Sequence, residues 1–320
     1  MLTVFPVTMC ILFSFLIGVY YYYVKVADRC NCQTSLIGKT VVITGANTGI
    51  GKETAFELAK RGAKVILACR NQEKGENAAK DIRATTNNPH VVCRVLDLAS
   101  FQSIRNFAEG LQKQEDRLDI LVNNAGVVND GSSQTEDGYD LVFGVNHLGH
   151  FLLTNLLLQK LKESSPSRII NVSSDAYQMT RLNFDNLNQN KGRISSYSHS
   201  KLANVVFTKE LSRRLKNTEV TAYSLHPGCI DTDIKRNWSP FLKFMTPIIK
   251  FWILKSANDG SQTSVHCAIA DNISHLSGGY FKGCKVQKIS PHAADETSGR
   301  RLWEISEKMT GFKETIDVTK

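Results

Sequence analysis

Residues 40–62 read TVVITGANTGIGKETAFELAKRG, and the stretch changes character twice. Thr40–Thr44 is a short β-branched apolar run, the composition of a buried strand. Gly45, Gly49 and Gly51 come next, and the residues from Lys52 onward are patterned as a helix. A strand, a glycine-rich turn and a helix in that order form the first half of a βαβ unit.

Moving outward, the same alternation continues. Apolar runs recur at KVILA (64–68), VVCRVLD (91–97), LDILVNN (118–124), RIINVSS (168–174), VTAYSLH (220–226) and YFKGCKV (280–286), with helix-patterned stretches between them. Runs that are apolar throughout belong to strands covered on both faces, which means a parallel sheet with right-handed crossovers. The expectation is an α/β fold, one doubly wound Rossmann-type domain of about seven strands spanning 38–312. A tail follows at 313–320.

The glycine turn has a chemical use. Glycines between strand and helix let backbone approach a pyrophosphate, and the helix N-terminus adds free N–H groups and positive potential. The spacing is G-x-x-x-G-x-G rather than G-x-G-x-x-G, and a turn without a ligand is the plainer alternative. Gly45, Asn47, Thr48, Gly49, Ile50 and Gly51 are therefore read as dinucleotide-binding. The second strand closes at Arg70, with no acidic residue before Glu73. An acid there would accept from a ribose hydroxyl, whereas an arginine accommodates a 2′-phosphate, so NADP(H) is preferred over NAD(H). Asp97 and Leu98 close the third strand, and NNAG (123–126) closes the fourth. Ligands in such sheets lie beyond the carboxyl ends of the strands, although either feature could be only a cap or a tight turn.

At the amino end, Leu2 to Val24 carries no charged side chain. It exceeds the ~20 residues needed to cross a bilayer. Tyr20–Tyr23 suits the interface, and neither a basic start nor a small-residue cleavage site marks a signal peptide. The reading is an anchor at 2–24 and a juxtamembrane link at 25–37. Lys25, Arg29 and Lys39 follow the segment, which places the large C-terminal part in the cytosol. The chain's net charge of +9 suits an anionic membrane surface. No interleaving of aromatic and basic residues marks a nucleic-acid groove. The eight cysteines resemble reduced thiols rather than a disulfide framework. Cys30 and Cys32 are either lipid acceptors or unmodified surface thiols.

Tyr197 and Lys201 in YSHSK stand four apart, on one face of a helix. TGANTGIG, NNAG, NVSS and YSHSK in this order resemble the short-chain dehydrogenase/reductase family over about 38–310. GVNHLGHFLLTNLLL (144–158), YSHSKLANVVFTKELSRRL (197–215) and HPGCIDTDI (226–234) resemble its membrane-anchored retinol dehydrogenase branch. The resemblance implies catalytic Ser174, Tyr197, Lys201 and Asn146, with Ser174 also touching substrate and Ser173 as the alternative serine. It places Asn123, Ala125 and Gly126 on the adenosine side of the cofactor, Tyr197 and Lys201 against it as well, and Pro227, Gly228 and Thr232 by the nicotinamide. A cationic Lys201 would lower the pKa of a phenol, ordinarily about 10, toward working pH. Ser174 would donate to the substrate oxygen, and Asn146 would hold a water and backbone for proton relay.

The implied activity interconverts a lipophilic carbonyl and its alcohol, retinal and retinol first, at a membrane of which the endoplasmic reticulum is the favoured one. Steroid or long-chain aldehyde reduction is the alternative; a non-catalytic nucleotide-binding scaffold is a third reading. SSDAYQ departs from the family pattern, and an inward-pointing Asp175 would disfavour a purely hydrocarbon substrate. Hydride chemistry needs no metal. His147 and His150, three apart, have no third ligand at suitable spacing and are read as packed helix histidines, as are His199 and His226. Residues 237–256, NWSPFLKFMTPIIKFWILKS, read as an apolar lid over a lipophilic pocket resting on the bilayer, with a core helix pair broken by Pro240 and Pro247 as the plainer alternative. The sequons at Asn237 and Asn272 should stay bare in the cytosol.

Overall fold

The computed structural model describes residues 29–128, 133–188, 192–228 and 255–313, together with Ser14 and Gly18. Most of the anchor segment, most of the lid, Asn237 and Thr232 therefore lie outside the described residues. Strands β1 (Thr40–Thr44), β2 (Lys64–Cys69), β3 (Val91–Val95), β4 (Ile120–Asn123), β5 (Ser167–Val172), β6 (Val220–His226), β7 (Tyr280–Lys282) and β8 (Lys285–Gln287) form one sheet in the order β3-β2-β1-β4-β5-β6-β7-β8. All neighbours are parallel except β7 and β8.

YFKGCKV (280–286), expected to be a single strand, spans two strands, β7 and β8. It is a hairpin, because Gly283 (φ 59°) and Cys284 (φ 58°) both adopt left-handed backbone and turn the chain back on itself. Two positive φ values in the central positions are what a two-residue hairpin turn requires.

Helices α1 (Gly49–Lys60), α2 (Gln72–Thr86), α3 (Phe101–Gln114), α4 (Gly149–Glu163), α5 (Arg193–Arg214), α6 (Ala257–Ile269) and α7 (Glu296–Thr310) cover the sheet. Successive strand side chains point to opposite faces. Val42 accordingly joins one core with Ile104, Leu152, Phe207 and Trp303, while Val41 and Ile43 join the other with Leu58, Ile82 and Val265. Both layers are needed because each strand side chain, left exposed, would forfeit about 1.5–3 kcal/mol.

Among the described residues, Leu141–Glu163 has the length and apolar character of a membrane span, yet it is mostly buried inside the domain. Its beginning departs from an α-helix: Gly144–Leu148 is a π-helical turn whose closing bond runs from Gly149 N–H to Gly144 O. Such turns concentrate at functional sites, and this one carries Asn146. The order reverses between β1 and β4, which lie side by side and lead away to opposite edges. A crevice at that point is where ligands bind in open α/β sheets.

Candidate active site

Four loops meet at the carboxyl ends of the central strands. After β1, Gly45 (φ 64°) starts a turn that ends at the N-terminus of α1. Gly51 is buried there, and a Cβ on it would fall 2.5 Å from both the Asn124 side-chain nitrogen and the Gly45 carbonyl. Helix and strand can approach so closely only without a side chain. Thr48 stands at the N-cap but makes no side-chain cap bond, and the first turn of α1 holds no acid. The leading N–H groups are thus open to an anion, which fits a pyrophosphate. Asn47, Gly49 and Ile50 are half-buried along the turn, and Arg70 is exposed at the end of β2.

After β4, the NNAG run divides its work. Asn123 is buried and donates to Thr154 Oγ1 and Asn171 Oδ1, each at 2.8 Å. Its side chain therefore braces the sheet instead of facing the crevice. The neighbour that reaches the glycine turn is Asn124, which was not singled out from sequence. Its side chain donates to Thr44 O at 2.8 Å, and its N–H donates to Thr44 Oγ1 at 2.9 Å. Ala125 N–H adds a 3.0 Å bond to the same hydroxyl. The doubled asparagine was the available signal; strand parity decides which one turns outward. Asp97 holds its own turn, accepting from Ala99 N–H at 2.9 Å, and Leu98 is buried beside it.

After β5, the two serines separate. Ser173 is buried and donates at 2.7 Å to the Lys201 carbonyl. Ser174 is half-buried and caps the short helical turn Asp175–Met179, accepting from Ala176 N–H at 3.2 Å.

On α5, Lys201 is buried, and its ammonium donates to the Val172 carbonyl at 3.0 Å. Nζ lies 5.5 Å from the centre of the Tyr197 ring. Burial lowers the lysine to about 8, well below 10.5. A Cβ on Gly126 would lie 3.3 Å from Lys201 Nζ and 3.6 Å from Asn146 Oδ1. Both groups thus converge on the bare backbone of that glycine. Asn146, fully buried, accepts from Val127 N–H at 2.8 Å and donates to Val127 O and to Ser200 Oγ, both at 3.0 Å. Ser200 in turn donates to the Tyr197 carbonyl at 2.8 Å. The backbone beside Gly126 and the helix turn carrying Tyr197 are tied together through one amide.

His147, His150 and His199 are buried and held by neighbours inside the domain. His150 bridges the Asn146 carbonyl and Thr44 Oγ1, at 3.1 and 2.9 Å, and burial lowers it to about 4. His147 packs against Phe143 and Phe207 and is lowered by burial to about 3. His199 accepts from Asn183 N–H at 3.3 Å.

Asp175 is engaged by three side chains from the neighbouring strands. It accepts from Lys282 Nζ at 2.7 Å and from Tyr280 Oη at 2.9 Å, with His226 Nε2 at 3.6 Å. Burial alone would raise its pKa, but Lys282, His226 and Tyr280 together hold it below the usual value. Tyr177 is buried edge-on against Tyr280. Pro227 and Gly228 are half-buried after β6 and border the same end of the sheet.

Residues 39–243 match the family model described as short chain dehydrogenase. The chain is 52% identical over 285 residues to retinol dehydrogenase 11 of Homo sapiens, covering 88% of this chain and 89% of that protein. It is 51% identical over 293 residues to retinol dehydrogenase 13 of Homo sapiens, covering 89% and 88%. Among solved structures, an uncharacterised protein from Mycobacterium paratuberculosis superposes with a TM-score of 0.70 at 35% identity, covering 90% of this chain and 97% of that one.

Proposed function

Since this chain belongs to the short-chain dehydrogenase family, we propose that it interconverts a lipophilic aldehyde or ketone and its alcohol with NADP(H), retinal and retinol being the favoured pair. The observation that carries the reading is the buried Lys201 ammonium beside the Tyr197 ring and the bare backbone of Gly126. Identity with retinol dehydrogenases favours a retinoid over a steroid or a long-chain aldehyde.

The nicotinamide dinucleotide, when bound, supplies or accepts the hydride at the substrate carbon. The glycine turn and the first N–H groups of α1 would hold its pyrophosphate, with Arg70 at the 2′-phosphate and Lys201 at the nearer ribose. On this protein's side the work is positioning and proton transfer. Tyr197 gives its phenolic proton to the carbonyl oxygen during reduction and takes it back during oxidation. The Lys201 charge favours the ionised phenol, which lowers the cost of that exchange. Ser174 donates a hydrogen bond to the oxygen on which negative charge grows. Asn146 fixes the backbone at Val127 and, through Ser200, the turn of helix that carries Tyr197. A domain tethered by residues 2–24 and facing the cytosol, at the endoplasmic reticulum first, would meet substrates dissolved in the bilayer, with the segment 237–256 as the cover.

The test is purified full-length protein with NADPH against retinal, a ketosteroid and a long-chain aldehyde. Retinal should give the highest kcat/KM, and Tyr197→Phe should abolish turnover while NADPH still binds. Turnover unchanged in Tyr197→Phe means that another group donates the proton.

A further inference from the structure

The link that precedes β1 is laid along α6. Arg29 pairs with Asp259 at 3.1 Å, Cys30 N–H donates to Gln262 Oε1 at 3.3 Å, and Thr34 Oγ1 donates to the Ile269 carbonyl at 2.9 Å. These contacts bring Cys30 and Cys32 over His266, more than two hundred residues away in sequence. The two sulfurs and one imidazole nitrogen lie within 4.8 Å of one another, with Cys32 Sγ 4.0 Å from His266 Nδ1.

We infer that Cys30, Cys32 and His266 form a zinc site that clamps the juxtamembrane link to α6. The donor set is what zinc takes in a reducing compartment, thiolates with one imidazole. Zinc–sulfur bonds of about 2.3 Å and zinc–nitrogen bonds of about 2.0 Å put neighbouring ligand atoms roughly 3.5–3.8 Å apart on a tetrahedron. The observed spacing therefore needs closure of about an ångström or less, within the reach of side-chain rotation. All three side chains are half-buried, so the site is screened yet open to an entering ion. Cys284, whose thiol lies 3.5 Å from the Gln262 carbonyl, is not part of this cluster, so water would take the fourth position. Cys267, next in sequence to His266, is fully buried and belongs to the core.

The site explains why the link follows this path. Among the described residues its other polar ties to α6 are the Arg29–Asp259 pair and single hydrogen bonds, each worth about 1 kcal/mol or less, and Leu36 is buried in the core nearer β1. A bound ion would replace them with bonds that hold residues 30–32 against α6, fixing where the chain leaves the domain. Acylation of either cysteine would compete for the same sulfurs, so the two fates exclude each other.

The experiment uses full-length protein purified in detergent under reducing conditions, exposed to zinc alone and dialysed. Elemental analysis should give about one zinc per chain, falling at least tenfold in Cys32→Ser and in His266→Gln while Tyr197→Phe keeps its metal. Cobalt loaded into the unmutated protein should show the intense visible absorption of a tetrahedral thiolate site, a readout that does not depend on the variants folding. Absence of both zinc retention and that absorption overturns the proposal. So does zinc that stays unchanged in both variants, or protein from cells in which Cys30 or Cys32 carries an acyl chain.

Discussion

Ser173 and Ser174 are adjacent at the end of β5, yet only one of them is committed to the interior. The Ser173 hydroxyl donates at 2.7 Å to the Lys201 carbonyl, whereas Ser174 Oγ accepts from Ala176 N–H at 3.2 Å, which leaves its proton for a ligand. Ser174→Ala should therefore cost far more activity than stability, which loses only the cap bond to Ala176, about 0.5–1 kcal/mol. The loss should be about 10²–10³ in kcat, as for other donors to a developing oxyanion. Ser173→Ala should lower stability by roughly 1 kcal/mol through the lost buried bond and keep most of kcat. Denaturant midpoints and retinal reduction on both variants separate the two. A reversed pattern would transfer the substrate contact to Ser173.

Lys201 carries a second signature, in the pH dependence of stability. Burial lowers it to about 8 from 10.5. Below the folded value both states hold the proton, and the folded protein bears the cost of a buried charge. Between about 8 and 10.5 the unfolded chain still binds a proton that the folded chain has released, so raising pH through that window favours folding. Lys201→Met should be more stable than the parent near pH 7, by roughly 3 kcal/mol at most. The difference should close as pH rises toward the unfolded value. Paired denaturation curves of cofactor-free protein measure it, and a gap that does not narrow refutes the buried-charge account. The variant should also lose turnover.

Much of this site is legible in the sequence because it sits at strand ends, and apolar runs bounded by glycine or asparagine mark strand ends well. TVVIT running into TGANTGIG shows where β1 stops and α1 begins, and NVSS and YSHSK carry their own positions. What stays hidden depends on geometry that no local pattern encodes. Asn123 and Asn124 are the same residue type, and only the alternation of strand faces sends one to Thr154 and the other to the glycine turn. The π-helical turn around Asn146 has no compositional mark. The β7–β8 turn uses Gly283 and Cys284, where an Asn-Gly pair would have been readable. The direction of Asp175 was undecidable, since its partners Tyr280 and Lys282 arrive from a strand more than a hundred residues later. Cys30, Cys32 and His266 meet for the same non-local reason.

Arg70 decides the cofactor in the proposed function. It is exposed at the end of β2, where an aspartate would instead hold the ribose hydroxyls. Arg70→Asp should raise KM for NADPH by about 10–100-fold, the loss of one or two charge-assisted bonds to phosphate with added repulsion. KM for NADH should fall in the same variant. The ratio of kcat/KM for the two cofactors is the measurement, and a ratio unmoved by the substitution would place the phosphate elsewhere.

Asp175 bears on the substrate. Its carboxylate is spent on Lys282 and Tyr280, with side-chain exposures of 32% for Asp175 and 54% for Lys282. A pair this open contributes about 1 kcal/mol or less. Asp175→Asn keeps an acceptor for the buried Tyr280 hydroxyl and removes only the charge, so it should fold. Because the folded pKa is held below 3.8, the charge stabilises the protein above that value and ceases to do so as pH falls through the lowered one. The variant should therefore trail the parent slightly at pH 7 and match it in strong acid. Its preference for retinal over short polar aldehydes should stay within about threefold of the parent's, under 1 kcal/mol of discrimination. A tenfold swing toward either substrate class would mean that the carboxylate faces the pocket during turnover, and that the Lys282 pair opens when substrate enters.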